Sequence, residues 1–327
     1  MSMIDPDGPV LVLSAPEDAT ADLVESRLKT RGVPVVRMDT GDFPTRMRLD
    51  ARNDGGCWTG TLRTASTSVD LEGVRSVYYR RPTRFRLPPG LAGGDTAFAL
   101  TEAKPGVGGV LASLAVTWVN HPARMAYAEY KPIQLAVADQ LGLAVPRTLV
   151  TNDVDAVRSF ATAIGRPIVC KTFSSLLLDD GDGTVTSVFT TTVDPADIDR
   201  DHLAATAHLF QERVPKAHDV RVTMVGHTAF AVAVHTDTAA GREDWRADYR
   251  NLHYQPITVP HNVRLGMSAY LEHFGLRYGA FDFVVEPEGQ WVFLECNPNG
   301  QWLWLEDEAD QPISAALAAV LAGEEPR

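Results

Sequence analysis

The 327-residue sequence has little cysteine: Cys57, Cys170 and Cys296 are its three. They are odd in number, far apart and without C-x-x-C spacing, which excludes a disulfide framework and a structural zinc site and fits a reducing cytoplasm. Positive charge is also in the minority. Thirty Lys and Arg against 42 Asp and Glu leave a net charge of −12, so neither nucleic acid nor an anionic membrane is the expected partner. Any bound anion must be met by local positive charge. No export signal is visible, since Asp5 and Asp7 stand where one would carry cations and the apolar run Val10 to Leu13 is short. No apolar stretch reaches the roughly 20 residues a membrane-spanning helix needs. The longest, Val107 to Val119, is broken by Gly108 and Gly109 and reads as a core helix. Two nucleotide motifs are missing as well. The first strand-to-helix turn is Ser14-Ala15-Pro16-Glu17-Asp18 rather than G-x-G-x-x-G, and G-x-x-x-x-G-K-[ST] occurs nowhere.

What remains is an ordinary globular composition, 45% apolar and 22% charged, long enough for about two domains. Residues 9 to 14 read as a buried strand, Ala15 to Thr30 as a helix ended by Gly32, and Val33 to Arg37 as a second strand, a βαβ start. Residues 92 to 106 are rich in Gly, Ala and Thr and read as a mobile connection; Pro105 to Gly109 (PGVGG) precedes a helical pattern and reads as packing or loop. A helix is expected from Pro132 to Gly142, another over 153 to 164 capped by Asn152 or Asp153, then a strand from Pro167 to Phe173 and a mobile loop over 174 to 183. Hairpins follow: 219 to 225 with 228 to 235 through Gly226-His227, and 281 to 286 with 291 to 297. A last helix, from Pro312 to Ala322, is expected to be capped by Asp310 and ended by Gly323.

The second hairpin carries the chemistry. With Pro287 to Gln290 as its loop, Glu286 faces Trp291, and counting inward sets Asp282 opposite Glu295. Side chains directly paired in an antiparallel ladder have Cβ atoms about 4.5–5.5 Å apart, so two carboxylates there need a cation. Asn297, two residues on, shares their face. An all-oxygen set of this kind suits Mg²⁺, which keeps waters and completes its shell with phosphate oxygens. The plainer alternative is an exposed hairpin with acids facing water. Lys171 stands inside the apolar run from Ile168, where a buried ammonium wants an anion unless it snorkels to solvent. Lys131 sits at a helix entrance, a common surface position. Arg221 shares a strand face with Asp219 and Thr223 and could clamp a phosphate or pair with Asp219.

In chain order the parts are Lys131, Lys171, Gln211-Glu212-Arg213-Val214, Asp219-Val220-Arg221, Asp282 and Glu295-x-Asn297. This order resembles the ATP-grasp superfamily over about residues 120 to 310. Residues 78 to 82 (YYRRP), 118 to 122 (WVNHP), 130 to 135 (YKPIQL), 141 to 151 (LGLAVPRTLVT) and 243 to 249 (EDWRADY) extend the resemblance to the ATP-grasp peptide maturases, the microviridin or graspetide macrocyclases.

The resemblance implies an α/β and α+β chain with an ATP-grasp fold, an N-terminal βαβ pre-ATP-grasp domain over 1–119, and central and C-terminal ATP-grasp subdomains over 120–205 and 206–327. It implies ATP and Mg²⁺ as cofactors. Lys131 and Lys171 would bind phosphates, Gln211 to Val214 adenine, and Asp219 or Lys216 the ribose. Asp282, Glu295 and Asn297 would hold magnesium, and Arg221 would stabilise the transferring phosphoryl group. Arg246, beside Asp244, would meet acidic residues of a precursor peptide, with Arg80 and Arg81 adding charge. Two features depart from relatives: the loop 174 to 183 is less Gly-rich than some phosphate-covering loops, and Pro215 shortens the hinge before Asp219. The implied partner is a ribosomal precursor peptide, the implied location cytoplasmic, and a homodimer is left open. The rivals are an amino-acid or glutamate ligase of the same superfamily and a non-catalytic nucleotide- or peptide-binding module.

Overall fold

The computed structural model describes residues 5–174, 177–179, 185–187 and 190–324. The βαβ start forms as the apolar pattern dictates. Val10–Leu13 is wholly buried, and helix Ala19–Thr30 begins where Asp18 accepts from the backbone N–H groups of Thr20 (3.0 Å) and Ala21 (3.2 Å). That cap leaves residues 15 to 18 as a turn, so the helix starts later than the sequence suggests. Four parallel strands lie in the order Val35–Met38, Val10–Leu13, Ser76–Tyr79, Thr117–Val119. Beside them is an antiparallel sheet of Arg48–Asp54, Cys57–Arg63 and Ser68–Asp70.

The connection expected to be mobile over 92 to 106 is instead the first part of a helix, Gly93–Ala112. Ala103, Val107, Val110 and Leu111 bury one stripe at helical spacing, and that burial outweighs the poor propensity of its glycines and Pro105. A short helix not read from the sequence, Pro122–Ala128, then precedes Lys131–Gln140. Strands Thr191–Val193, Ile168–Lys171, His208–Glu212 and Thr148–Thr151 form an antiparallel sheet in that order, with helix Val154–Ile164, capped by Asp153, packed on it. Most of the loop expected over 174 to 183 lies outside the described residues; Leu177–Asp179 pairs with Val185–Ser187.

The last third is a five-stranded antiparallel sheet ordered Leu252–Pro256, Thr228–Thr236, His218–Val225, Tyr278–Val285, Trp291–Asn297. Helix His261–Phe274 covers one face, where Met267, Tyr270 and Phe274 pack on Val222, Phe281, Phe283 and Phe293. At one end of the other face, Val225, Val232 and Ala280 join Trp302, Leu305 and Leu317 and also Val10, Leu28 and Tyr78 of the N-terminal sheet in one core. The final helix is Ile313–Leu321. Asp310 does not cap it: it sits at φ +49°, closing the preceding helix Leu303–Ala309, and Glu306 takes the Ser314 N–H (2.8 Å) instead.

Candidate active site

The other end of that face opens into a cavity of about 830 Å³ against the four-stranded sheet. Its position follows from alternation along three adjacent strands. Val220, Val222, Phe281, Phe283, Phe293 and Cys296 face the helix-covered core, which turns Arg221, Asp282 and Glu295 to the opposite face. Arg221 is directly opposite Asp282, and Asp282 directly opposite Glu295.

The pairing of the two acids agrees with the count made from the sequence, although the count itself does not. The turn is one residue longer, so that Val285 faces Trp291 and Phe283 faces Phe293. A bulge between positions 282 and 283 then inserts Leu294 and restores the register. In a regular strand Phe293 and Glu295 would share a face. The extra residue lets Phe293 enter the core while Glu295, like Leu294, lines the cavity.

All four carboxylate oxygens of the pair meet cations. Arg221 Nη1 reaches Asp282 Oδ1 at 2.8 Å and Lys131 Nζ reaches Glu295 Oε2 at 2.9 Å. Between the acids, Arg246 Nη2 donates both to Asp282 Oδ2 and to Glu295 Oε1, the latter at 2.9 Å. Burial alone would push the Glu295 carboxyl up, but Lys131, Arg246 and Lys171 outweigh it and hold it far below the usual carboxylate range. Burial also pushes the Lys171 ammonium down, with Glu295 opposing.

Lys171, Gln211, Glu212, Arg213, Val214, Lys216, Asp219, Asp244, Arg246, Asp282 and Glu295 line the cavity together. Gln211 is buried, its amide donating to Thr148 Oγ1 at 3.0 Å, while Glu212 accepts from the Arg147 N–H at 2.9 Å. Lys131 also donates to the carbonyl of Thr172 at 2.8 Å, tying the helix entrance to the end of the Lys171 strand. Arg246 stands on a short turn, Trp245–Ala247, whose start Asp244 caps by accepting the Arg246 N–H at 3.1 Å.

Other predicted positions fall outside this lining. Arg221 does not pair with Asp219, whose carboxylate takes Lys216 Nζ at 2.7 Å; it pairs with Asp282 across the ladder and donates to the Gln301 carbonyl at 3.2 Å. Its Nε is buried without a hydrogen-bond partner. Asn297 is exposed, and its side-chain oxygen accepts the Asn299 N–H at 2.8 Å. Arg80 is 2% exposed and spends its donors on Thr20, Asn299, Gly300 and Gln301, so it ties the N-terminal sheet to the loop after the hairpin. Arg81 is exposed. The sequence reading passed over His218 and His235, which line the same cavity with ring centroids 5.1 Å apart. Counting inward from the Gly226-His227 turn would have found them, since Asp219 pairs with Val234.

The donor set fits magnesium. Asp282 and Glu295 present oxygen only, from opposed positions, and their charge demands cations; the position between them is taken here by Arg246. Among the described residues no three His, Cys, Asp or Glu side chains converge into a cage, and Mg²⁺ does not need one, being held by one or two carboxylates plus phosphate oxygens.

Residues 9–126 match the family model described as the MvdD pre-ATP grasp domain. The macrocyclase MdnC from Microcystis aeruginosa MRC, solved bound with precursor peptide MdnA, is 30% identical, with 96% of this chain and 99% of that one covered and a TM-score of 0.83. The chain belongs to the ATP-grasp macrocyclase family. The macrocyclase MdnB from the same organism is 29% identical over 96% and 99% of the two chains, with a TM-score of 0.79. A Chryseobacterium gregarium RiPP-associated ATP-grasp ligase, solved with ADP and a leader and core peptide, is 26% identical over 98% of both chains, with a TM-score of 0.89. A search of curated proteins finds no match. As a member of this family the protein is an ATP-dependent ligase with an ATP-grasp fold and a pre-ATP-grasp domain at its N-terminus. No helix among the described residues is long and apolar enough to cross a membrane.

Proposed function

We propose that the protein crosslinks a ribosomal precursor peptide. With Mg-ATP in the cavity, an Asp or Glu side chain of the peptide attacks the γ-phosphate to give an acyl phosphate and ADP. A Ser or Thr hydroxyl, or a Lys amine, then displaces phosphate to close an ester or amide. The observation that carries this reading is the opposed pair Asp282 and Glu295, facing a cavity walled by Lys171 and the segment Gln211 to Val214 in a macrocyclase-family chain.

The chain's residues divide the work by position. Lys131 and Lys171 converge on Glu295 from the helix entrance and the facing strand and supply the positive charge that phosphates need in an otherwise acidic chain. Gln211 and Glu212 end the neighbouring strand His208–Glu212 and Arg213 and Val214 follow it, offering backbone groups to adenine, with Lys216 and Asp219 toward the ribose. Asp282 and Glu295, with Asn297 beside them, would hold magnesium, which would neutralise the negative charge of the phosphates. Arg221, paired with Asp282 across the ladder, positions that carboxylate and adds positive charge behind the phosphoryl site.

Arg246 has two roles on this reading. It joins the two acids here, and with those acids committed to magnesium its guanidinium would turn to the substrate carboxylate. Catalysis is then positioning and charge neutralisation rather than acid–base work. The test is incubation with Mg-ATP and a short peptide carrying Thr or Lys together with Asp or Glu. Loss of one water per crosslink with one ADP released is the expected result. Release of AMP, or addition of a free amino acid to the peptide, would contradict it.

A further inference from the structure

A second cavity, of about 850 Å³, lies in the N-terminal part of the chain, apart from the proposed active site. It opens between the carboxyl ends of the parallel strands, at Ser14 and Met38, and the hairpin of Arg48–Asp54 with Cys57–Arg63. Ligands of parallel α/β sheets bind at that end of the strands. Among its walls are Arg37, Arg46, Arg48 and Arg63, interleaved with the hydroxyls of Thr45 and Thr64.

The charge there is unbalanced. Arg48 and Arg63 are directly opposite each other in the ladder, an arrangement of like charges that costs stability. Among the described residues Arg48 donates only to the main-chain oxygens of Pro44 and Met47. Arg46 and Arg63 have no side-chain hydrogen bond or ion pair among the described residues, and Asp50, next on the Arg48 face, pairs with neither. The carboxylates in the wall are committed elsewhere. Asp39 accepts from Gly41 N (3.0 Å), Thr83 N (2.8 Å) and Thr83 Oγ1 (2.6 Å), and Asp42 faces Arg86 at 3.5 Å. Arg37 alone is neutralised, by Glu25 and Asp22. Three uncompensated guanidiniums thus share one cleft of a chain whose net charge is −12.

We propose that this cleft binds an acidic peptide segment, its carboxylates answering Arg46, Arg48 and Arg63 and its backbone meeting the threonine hydroxyls. On the reading of function above, that segment belongs to the peptide substrate, outside the residues being crosslinked, and holds it while the reacting side chains change. A nucleic acid would carry its phosphates over a surface that is acidic elsewhere, and a lone phosphate would leave most of the cavity unused.

The test uses the full chain and a fluorescein-labelled peptide of alternating Glu and Gly followed by anisotropy. Binding should weaken at least about tenfold in R46Q/R63Q and as salt rises from about 0.05 to about 0.3 M. The unfolding midpoint of R63Q should stay level or rise, because a like-charge pair is relieved; a fall would mean that the arginines serve the fold, and would overturn the proposal. So would equal binding by R46Q/R63Q, complete displacement of the peptide by millimolar phosphate, or tighter binding of an oligonucleotide of equal charge. The two readings fail separately. Peptide binding lost in R46Q/R63Q without any crosslinking activity would sink the function alone, and crosslinking by a protein that ignores the probe would sink the cleft alone.

Discussion

At the level of single residues, the opposed acids decide most of the behaviour. Glu295→Gln keeps shape and removes a charge, so turnover should fall at least about a hundredfold while the folded spectrum is retained; steady-state ADP release checks this, and normal turnover would refute the metal assignment. The same carboxyl gives a pH signature. Its ionisation lies below the ordinary range in the fold, so its stabilisation is complete above the unfolded value of about 4.3 and is lost as pH falls through the folded value. Wild-type stability should therefore drop more steeply than that of E295Q between about pH 4 and pH 2 in chemical unfolding. Arg246 makes the sharper prediction. If it occupies the cation position, Arg246→Ala should bind Mn²⁺ several-fold more tightly in the absence of peptide while turning over peptide more slowly. Weaker Mn²⁺ binding would show that the arginine builds the site rather than holding its place.

Among the elements, hairpins and helices with strong periodicity were legible in the sequence, and features set by contact between distant segments were not. Asp282 came out opposite Glu295 only because a longer turn and a bulge offset each other. Hydrophobic alternation could have revealed the bulge, since Phe293 and Cys296 are both buried and three apart. Deleting Leu294 should accordingly restore regular alternation, with Phe293 inward and Glu295 outward, and leave a folded protein whose melting temperature changes by only a few degrees. A collapse of the fold would show that the bulge is needed for packing as well as for aim. Lys171 was found because a polar residue in an apolar strand stands out, and Gln211 through the resemblance, whereas Arg80 looked like free charge beside Arg81. Its burial depends on Asn299, Gly300 and Gln301, more than 200 positions away, which no local pattern encodes.

Across the whole molecule, that arginine and one shared core join the N-terminal sheet to the C-terminal helices. Leu317 packs in the same cluster as Val10, Leu28 and Tyr78, so Leu317→Ala should cost about 2–5 kcal/mol, read by urea unfolding, and should loosen both ends of the chain together. Arg80→Ala should cost about 3–5 kcal/mol by leaving its buried partners unanswered. The facing strand is tied in separately, by Lys131 to the carbonyl of Thr172, and with it Lys171 meets the acid pair around one cavity, the setting the proposed chemistry requires. The chemistry itself leaves a trace in the released phosphate. If the precursor carries a heavy-oxygen label in its Asp and Glu carboxylates, attack on the γ-phosphate moves one labelled atom into inorganic phosphate for every crosslink. Mass spectrometry of that phosphate should show one label per crosslink formed; unlabelled phosphate beside a crosslinked peptide would contradict carboxylate activation.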